Sequence, residues 1–218
     1  MRRQPEPEVM ELPEEVAAYA KADFAEVNRL FVQRLVELAG QLDRADAVDL
    51  GCGPGDITIR VAQARPRWNL TAVDLSQAML DVAVSEARRR GGSRIVFRKA
   101  DAKKLPFTRH SFDVVFSNSL LHHLTDAETM WGEVARIARP RAVIFFRDLC
   151  RPPDEQTARK IVQTHAAGES ELLREEFYRS LLSAYTPEEI RSQLAAAGLG
   201  HLQVSQINDR HVDIFGGR

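Results

Sequence analysis

The sequence predicts an α/β domain in which a parallel sheet carries helices on both faces. Two observations lead there. Between residues 46 and 149, short apolar runs alternate with amphipathic stretches of helical spacing, the rhythm of repeated strand and helix units. The first apolar run, Asp46-Ala47-Val48-Asp49-Leu50, leads directly into Gly51-Cys52-Gly53-Pro54-Gly55, and a helix opens at Ile57. Open sheets of this kind hold ligands beyond the carboxyl ends of their strands, where strand order reverses. With 218 residues, 44% of them hydrophobic, the chain can enclose one sizeable core and is short for two domains.

Residues 1 to 13, with prolines at 5, 7 and 13, read as a poorly ordered lead. Val16, Tyr19, Phe24, Val27, Phe31, Leu35 and Leu38 then keep helical spacing, so one or two helices fill residues 14–40. After the strand at 46–50, Ile57–Ala64 forms a helix and Asn69–Val73 a strand ending at Asp74. Ser76 caps a helix that runs to Arg90, where Arg88-Arg89-Arg90 suit the C-terminal dipole and Gly91-Gly92 stop it.

The third strand, Ile95–Lys99, leads to Asp101, and the fourth, Phe112–Phe116, ends at Ser117-Asn118. A helix from about Asp126 to Ala138 precedes the fifth, Val143–Phe146, which ends at Arg147-Asp148. Residues 150–184 leave the alternation: helical signals over Ala158–Ala166 and Ser170–Ser183 read as an insertion. In the closing segment, 185–218, Thr186 caps a helix with Pro187 at its first position and Gly198 beyond its end. His201–Ile207 and Val212–Phe215 form two last strands around Asn208-Asp209-Arg210-His211.

Composition narrows the function. With 30 basic against 31 acidic side chains, no broad electrostatic footprint invites a polyanion, so nucleic acid is not an expected partner. Cys52 and Cys150 suit a reducing compartment as small buried side chains. No apolar run reaches the ~20 residues that span a bilayer, and the N-terminus lacks an apolar signal region. A soluble, cytoplasmic protein is expected. The adjacent His122 and His123 have no further ligand at suitable spacing, so no metal is expected. Two neighbouring histidines on a regular helix cannot face one site, so at most one of them is expected to be functional.

Each strand of the proposed sheet ends in a polar residue: Asp49, Asp74, Asp101, Asn118 and Asp148 share one edge. Alternate glycines let the loop backbone take positive φ and approach a ligand, as in a nucleoside-cofactor site. A dinucleotide fingerprint places its third glycine where Asp56 stands. That acid would repel a diphosphate, and with Asp49 it suits a ligand with a cationic head.

Asp49-Leu50-Gly51-Cys52-Gly53-Pro54-Gly55 resembles the first motif, acidic-x-Gly-x-Gly-x-Gly, of the class I S-adenosylmethionine-dependent methyltransferases. The resemblance implies a Rossmann-like, seven-stranded, mostly parallel sheet with an antiparallel last strand, and a cofactor core over residues 45–149. Asp49, Gly51, Cys52, Gly53 and Asn118 would then line the cofactor. Asp74 would accept from both ribose hydroxyls, Asp101 from the adenine amine, while Leu75, Met79 and Ala102 cover the ring. Helices before residue 40 would lie over the cleft, with Tyr19 and Asn28 as contacts. One departure is Arg139-Pro140-Arg141-Ala142, where relatives carry a Gly-Gly turn before strand five.

The resemblance implies methyl transfer by in-line displacement to an acceptor, with His122, Asp148 and His211 as catalytic candidates. The acceptor pocket is expected between residues 14–31 and 150–184. Phe24, Phe31, Phe177, Tyr178, Leu181 and Leu182 would make it partly apolar, and His122, Arg147, Asp148 and His211 polar. A noncatalytic nucleoside-binding module of the same fold is a second reading, and a nicotinamide-dependent oxidoreductase is a third that Asp56 opposes.

Overall fold

The computed structural model describes residues 1–7, 24–92 and 94–217. Its centre is a seven-stranded sheet of order β3-β2-β1-β4-β5-β7-β6. The strands are β1 (Asp46–Leu50), β2 (Asn69–Asp74), β3 (Ile95–Lys99), β4 (Phe112–Asn118), β5 (Ala138–Leu149), β6 (Gln203–Gln206) and β7 (His211–Gly217). The first five run parallel, and β7 is antiparallel to both β5 and β6. Strand order reverses between β1 and β4, which puts the ligand crevice at the glycine loop.

Alternation along the strands builds two cores. Val114, Phe116 and Phe145 face one side, where α1 (Ala25–Ala39) and α2 (Asp56–Ala64) pack, and Phe31 of α1 stacks on Phe145 at 4.6 Å. Val115, Ile144 and Phe146 face the other side, against α4 (Ala127–Ile137) and α7 (Pro187–Ala196), with Trp131 at 4.7 Å from Phe146. The period of two along β4 and β5 divides these residues between faces. Between them in sequence, α3 (Gln77–Arg90) covers β2 and β3. Ser76 caps α3, and Thr186 forms a full capping box on α7 with Glu189.

The insertion is a helical pair, α5 (Glu155–His165) and α6 (Glu171–Ser183), with its own small core of Leu149, Ala158, Ile161 and Leu181. No helix among the described residues is long and apolar enough to cross a membrane. Two expectations change. Strand β5 begins at Ala138, five positions before Val143, and its first part is irregular: Phe112 pairs with Ala138 and Val114 with Val143, with the left-handed Arg141 (φ 69°) in the extra length between. Arg139 then reaches back to Asp46 at 2.9 Å and to Asp113, tying β1, β4 and β5 at their amino ends.

The start of the chain is the second change. Of the lead expected to be poorly ordered, residues 1–7 instead form a strap across the insertion, while residues 8–13, like 14–23 of the expected helices, lie outside the described residues. Gln4 N–H donates to Leu182 O at 3.0 Å. The Arg3 guanidinium donates to the carbonyls of Ser183, His122 and Leu124 and lies 4.0 Å over the Tyr185 ring. Pro5 and Pro7 lack N–H donors and suit a strap that needs few ladder bonds.

Candidate functional site

The glycine loop is fixed at its root by β2, since Gly51 N and Cys52 N both donate to Val73 O at 2.8 and 3.0 Å. Its glycines do different jobs. A Cβ on Gly51 would stand 2.8 Å from Leu120 Cδ1, and one on Gly55 would stand 2.9 Å from Ala83 Cβ on α3, so both serve packing. Of the three, Gly53 (φ 51°) alone faces open space, with nothing within 4 Å of the point where a Cβ would stand. The close backbone approach expected of the whole loop therefore belongs to Gly53.

Two carboxylates meet beside that loop. Asp49 is 2% exposed and accepts one bond, from Thr58 Oγ1 at 2.6 Å. Burial, reinforced by the charge of Asp74, pushes its carboxyl up to about 7. No ion pair to Asp49 occurs among the described residues. Asp74 accepts Gly53 N–H on one oxygen and Ser76 N–H on the other, both at 2.8 Å. Burial raises its pKa against those bonds. Each Asp74 oxygen keeps a further lone pair for a ligand hydroxyl.

Asp56 differs from the expectation. Arg60 Nε at 2.6 Å, Arg90 at 2.5 Å and Asn28 Nδ2 at 2.9 Å all donate to it, joining α1, α2 and α3. These bonds overcome burial and hold its pKa below the usual value. Its charge is already neutralised, so the carboxylate that accompanies Asp49 is Asp74.

The cleft of about 430 Å³ is lined by Asp49, Gly51, Cys52, Gly53, Asp74, Leu75, Met79, Asp101, Ala102 and Asn118. These are all of the cofactor candidates except Tyr19, which lies outside the described residues. Cys52 is buried, which lifts its thiol well above the ordinary range and leaves it inert. Sequence reasoning missed Ser119 and Leu120, which also line the cleft. Ser119 is left-handed (φ 59°), a strained position of the kind that collects at sites, and its N–H bonds Arg147 O at 2.9 Å.

A second cavity of about 600 Å³ adjoins the first. Phe24, Asn28, Asn118, Ser119 and His123 line both. Its walls come from α1, the insertion and the turn before β7: Leu30, Leu173, Phe177 and Ile207 are apolar, and Arg147, His165, Arg210 and His211 polar. Of the expected lining residues, Phe24, Phe177, His122, Arg147 and His211 are here. Phe31 is instead in the core on Phe145, Leu181 and Leu182 pack inside the insertion, and Tyr178 bonds Glu155 at 3.2 Å on its surface.

Asp148 does not reach either cavity. It is 2% exposed, accepting Leu121 N–H at 2.6 Å on one oxygen and His122 Nδ1 at 2.6 Å with Leu149 N–H at 2.8 Å on the other. Burial would lower the His122 pKa, but the charge and hydrogen bond of Asp148, with Glu6 beyond, raise it. The Asp148 carboxylate therefore favours the charged form of His122 against its burial.

His211 is its opposite. Burial, then Arg210 and Arg147, lowers its pKa to about 4, so the ring is neutral at pH 7. Asn208 Oδ1 accepts the N–H groups of Arg210 and His211, so its amide nitrogen is the atom 3.2 Å from His211 Nδ1. That ring nitrogen accepts, and the proton of the neutral ring sits on Nε2. Arg147 beside it is held bidentately by Asp213 at 2.6 and 2.8 Å.

Residues 47–141 match a family model described as a methyltransferase domain. A demethylmenaquinone methyltransferase of Lactobacillus johnsonii is 32% identical over 127 residues, covering 57% of this chain and 50% of the relative. A malonyl-[acyl-carrier protein] O-methyltransferase of Legionella pneumophila is 32% identical over 129 residues, covering 57% of this chain and 44% of the relative. The chain therefore spans about half the length of these relatives. A SAM-dependent methyltransferase from Aquifex aeolicus superposes with a TM-score of 0.70 over 95% of this chain and 99% of that one, at 16% identity, which speaks for the fold alone. By its glycine loop, strand order and matched segment, the chain is similar through residues 47–141 to the class I S-adenosylmethionine-dependent methyltransferases.

Proposed function

We propose that this protein is an S-adenosylmethionine-dependent methyltransferase acting on a small, partly apolar acceptor held in the second cavity. The observation that carries the reading is Asp49. A buried carboxylate with no cation beside it among the described residues is costly, and a ligand bearing an ammonium and a sulfonium removes the cost. The cofactor fits the rest of the cleft. Asp74 has lone pairs left for a ribose, Met79 and Ala102 give apolar walls, and Asp101, with one oxygen on Lys103 N–H at 2.8 Å, keeps acceptor capacity for an amine.

When bound, the cofactor supplies an electrophilic methyl group on sulfur. The protein has to hold the acceptor atom in line with it and keep water out. The wall shared by the two cavities, Phe24, Asn28, Asn118, Ser119 and His123, is where acceptor and methyl group would meet. Leu30, Leu173 and Phe177 would cover an apolar body, and His211 would donate Nε2–H to an oxygen of the acceptor. Asp148 and His122 act as positioning residues, fixing the turn that carries His123. The names of the two relatives, demethylmenaquinone and malonyl-carrier-protein methyltransferases, agree with acceptors other than nucleic acid.

Calorimetric titration with S-adenosylmethionine, S-adenosylhomocysteine and NAD tests the cofactor, and heat with NAD alone would overturn it. Turnover to S-adenosylhomocysteine across a metabolite panel tests the reaction. Binding without turnover on any acceptor would favour a noncatalytic module, and turnover only with RNA or protein would overturn the acceptor class.

A further inference from the structure

The geometry points to a divalent transition-metal site, of the zinc class, held by Glu6, His122 and His123. One ligand atom from each of the three residues lies within 4.8 Å of the others. Glu6 Oε1 is 3.6 Å from His122 Nε2 and 3.0 Å from His123 Nδ1. Nitrogen and oxygen ligands stand about 2.0 to 2.2 Å from zinc, so two of them are roughly 3.3 Å apart on a tetrahedron. The two observed separations bracket that edge.

Adjacent histidines on the single 3₁₀ turn Leu121–His123 leave the backbone about 120° apart around the axis, so it is the placement of their rings, not the turn, that lets them share a site. The two rings lie 4.1 Å apart and offer different nitrogens, Nε2 from His122 and Nδ1 from His123. His123 Nδ1 is enclosed and makes no hydrogen bond of good geometry, although Glu6 is within 3.0 Å. A lone pair aimed at a shared ion accounts for that arrangement.

The surroundings match what metal ligands need. His122 Nδ1 is 2.6 Å from Asp148 Oδ1, an outer carboxylate that fixes the ring and leaves Nε2 for the ion. Asp148 is itself pinned by the N–H groups of Leu121 and Leu149. On the other side, Ser180 Oγ donates to Glu6 at 3.1 Å, and Glu6 N–H bonds Ser183 Oγ at 3.3 Å. A dication with two neutral imidazoles balances the charges of Glu6 and Asp148. The ion would clip the strap of residues 1–7 to the turn beside the second cavity, with a fourth position left for water.

This site is independent of the methyl-transfer reading and is tested without it. Tag-free full-length protein, stripped with a chelator, would be titrated with Zn²⁺ by calorimetry and with Co²⁺ by visible absorption. One ion per chain and the intense d–d bands of tetrahedral cobalt are expected. Glu6→Gln and His123→Ala should each weaken binding by about 100-fold or more, and Asp148→Asn by about 10- to 100-fold. Glu6→Gln alters a strap side chain and should leave the fold intact, which keeps the test decisive if a histidine variant unfolds. Absence of saturable binding by the wild type, or binding unchanged in Glu6→Gln, would overturn the site.

Discussion

The carboxylate of Asp74, at the end of β2, adds its charge to the burial that pushes Asp49, at the end of β1, up to about 7. A folded-state pKa above the ordinary carboxylate value favours the protonated fold. The contribution of Asp49 to stability is thus fully present below about pH 4 and is lost as pH rises through 7. Ligand-free protein should therefore be less stable at pH 8 than Asp49→Asn, which keeps the Thr58 bond and has no charge to bury. A gain on the order of 2 to 4 kcal/mol corresponds to several degrees in Tm. A cationic cofactor reverses the balance, so its binding near pH 7 should release a proton. Calorimetry in two buffers of different ionisation enthalpy measures this, and no proton release with an unchanged Tm in Asp49→Asn would sink the account.

Asp74 carries a second prediction. Asp74→Asn preserves shape but turns one accepting oxygen into an N–H donor, so either Gly53 N–H or Ser76 N–H loses its acceptor, while Asp74→Ala frees both. Hydrogen bonds to a charged group are each worth about 1.5 to 3 kcal/mol, so the asparagine variant should weaken cofactor binding by roughly 10- to 150-fold. The alanine variant should lower Tm without ligand more than the asparagine variant does, since the loop loses both bonds to Asp74 instead of one. An asparagine variant that binds as tightly as wild type would return Asp74 to a loop-fixing role only.

These carboxylates were legible because a strand-to-glycine-loop junction places its neighbours by short-range geometry. The fold was legible for the same reason: Val114, Val115 and Phe116 alternate between two cores, a pattern local to one strand. What escaped were contacts between distant segments. Glu6 meets the turn at His122 across more than a hundred residues, and nothing near position 6 signals it. Backbone angles alone keep His122 and His123 apart, and what brings them together is side-chain placement, with the rings 4.1 Å apart and both within reach of Glu6 Oε1. Asp56 looked like a free acid because its partners, Asn28 and Arg90, stand on two other helices.

His211 gives a third prediction. Its folded pKa of about 4 lies below the ordinary histidine value, so its neutral form supports the fold at pH 7, and that support is lost as pH falls from about 6.5 through 4. Nitrogen-resolved NMR of the ring should show a neutral Nε2–H tautomer from pH 8 to below pH 5. His211→Gln keeps an N–H donor and should retain most acceptor affinity, whereas His211→Leu should lose it by about tenfold. A ring titrating near 6.5 would contradict the burial of this histidine between Arg147 and Arg210.

The glycine loop separates packing from ligand approach in a final prediction. Gly51→Ala puts a methyl 2.8 Å from Leu120 Cδ1 and 3.1 Å from its Cβ and Cγ, and Gly55→Ala puts one 2.9 Å from Ala83 Cβ and 3.3 Å from Ala83 Cα. Both also hold alanine at positive φ, 68° and 83°. Left-handed strain of about 1 kcal/mol and overpacking of about 1 to 3 kcal/mol should together lower Tm by roughly 5 to 15 °C. Gly53→Ala carries the strain alone, because nothing lies within 4 Å of its added methyl, and should lower Tm by only about 2 to 4 °C. That methyl enters the cleft, however, so cofactor affinity should fall most in the variant that is least destabilised. Thermal unfolding and calorimetry on the three proteins give both quantities. If Gly53→Ala bound the cofactor like wild type, the open face of the loop would not be where the ligand lies.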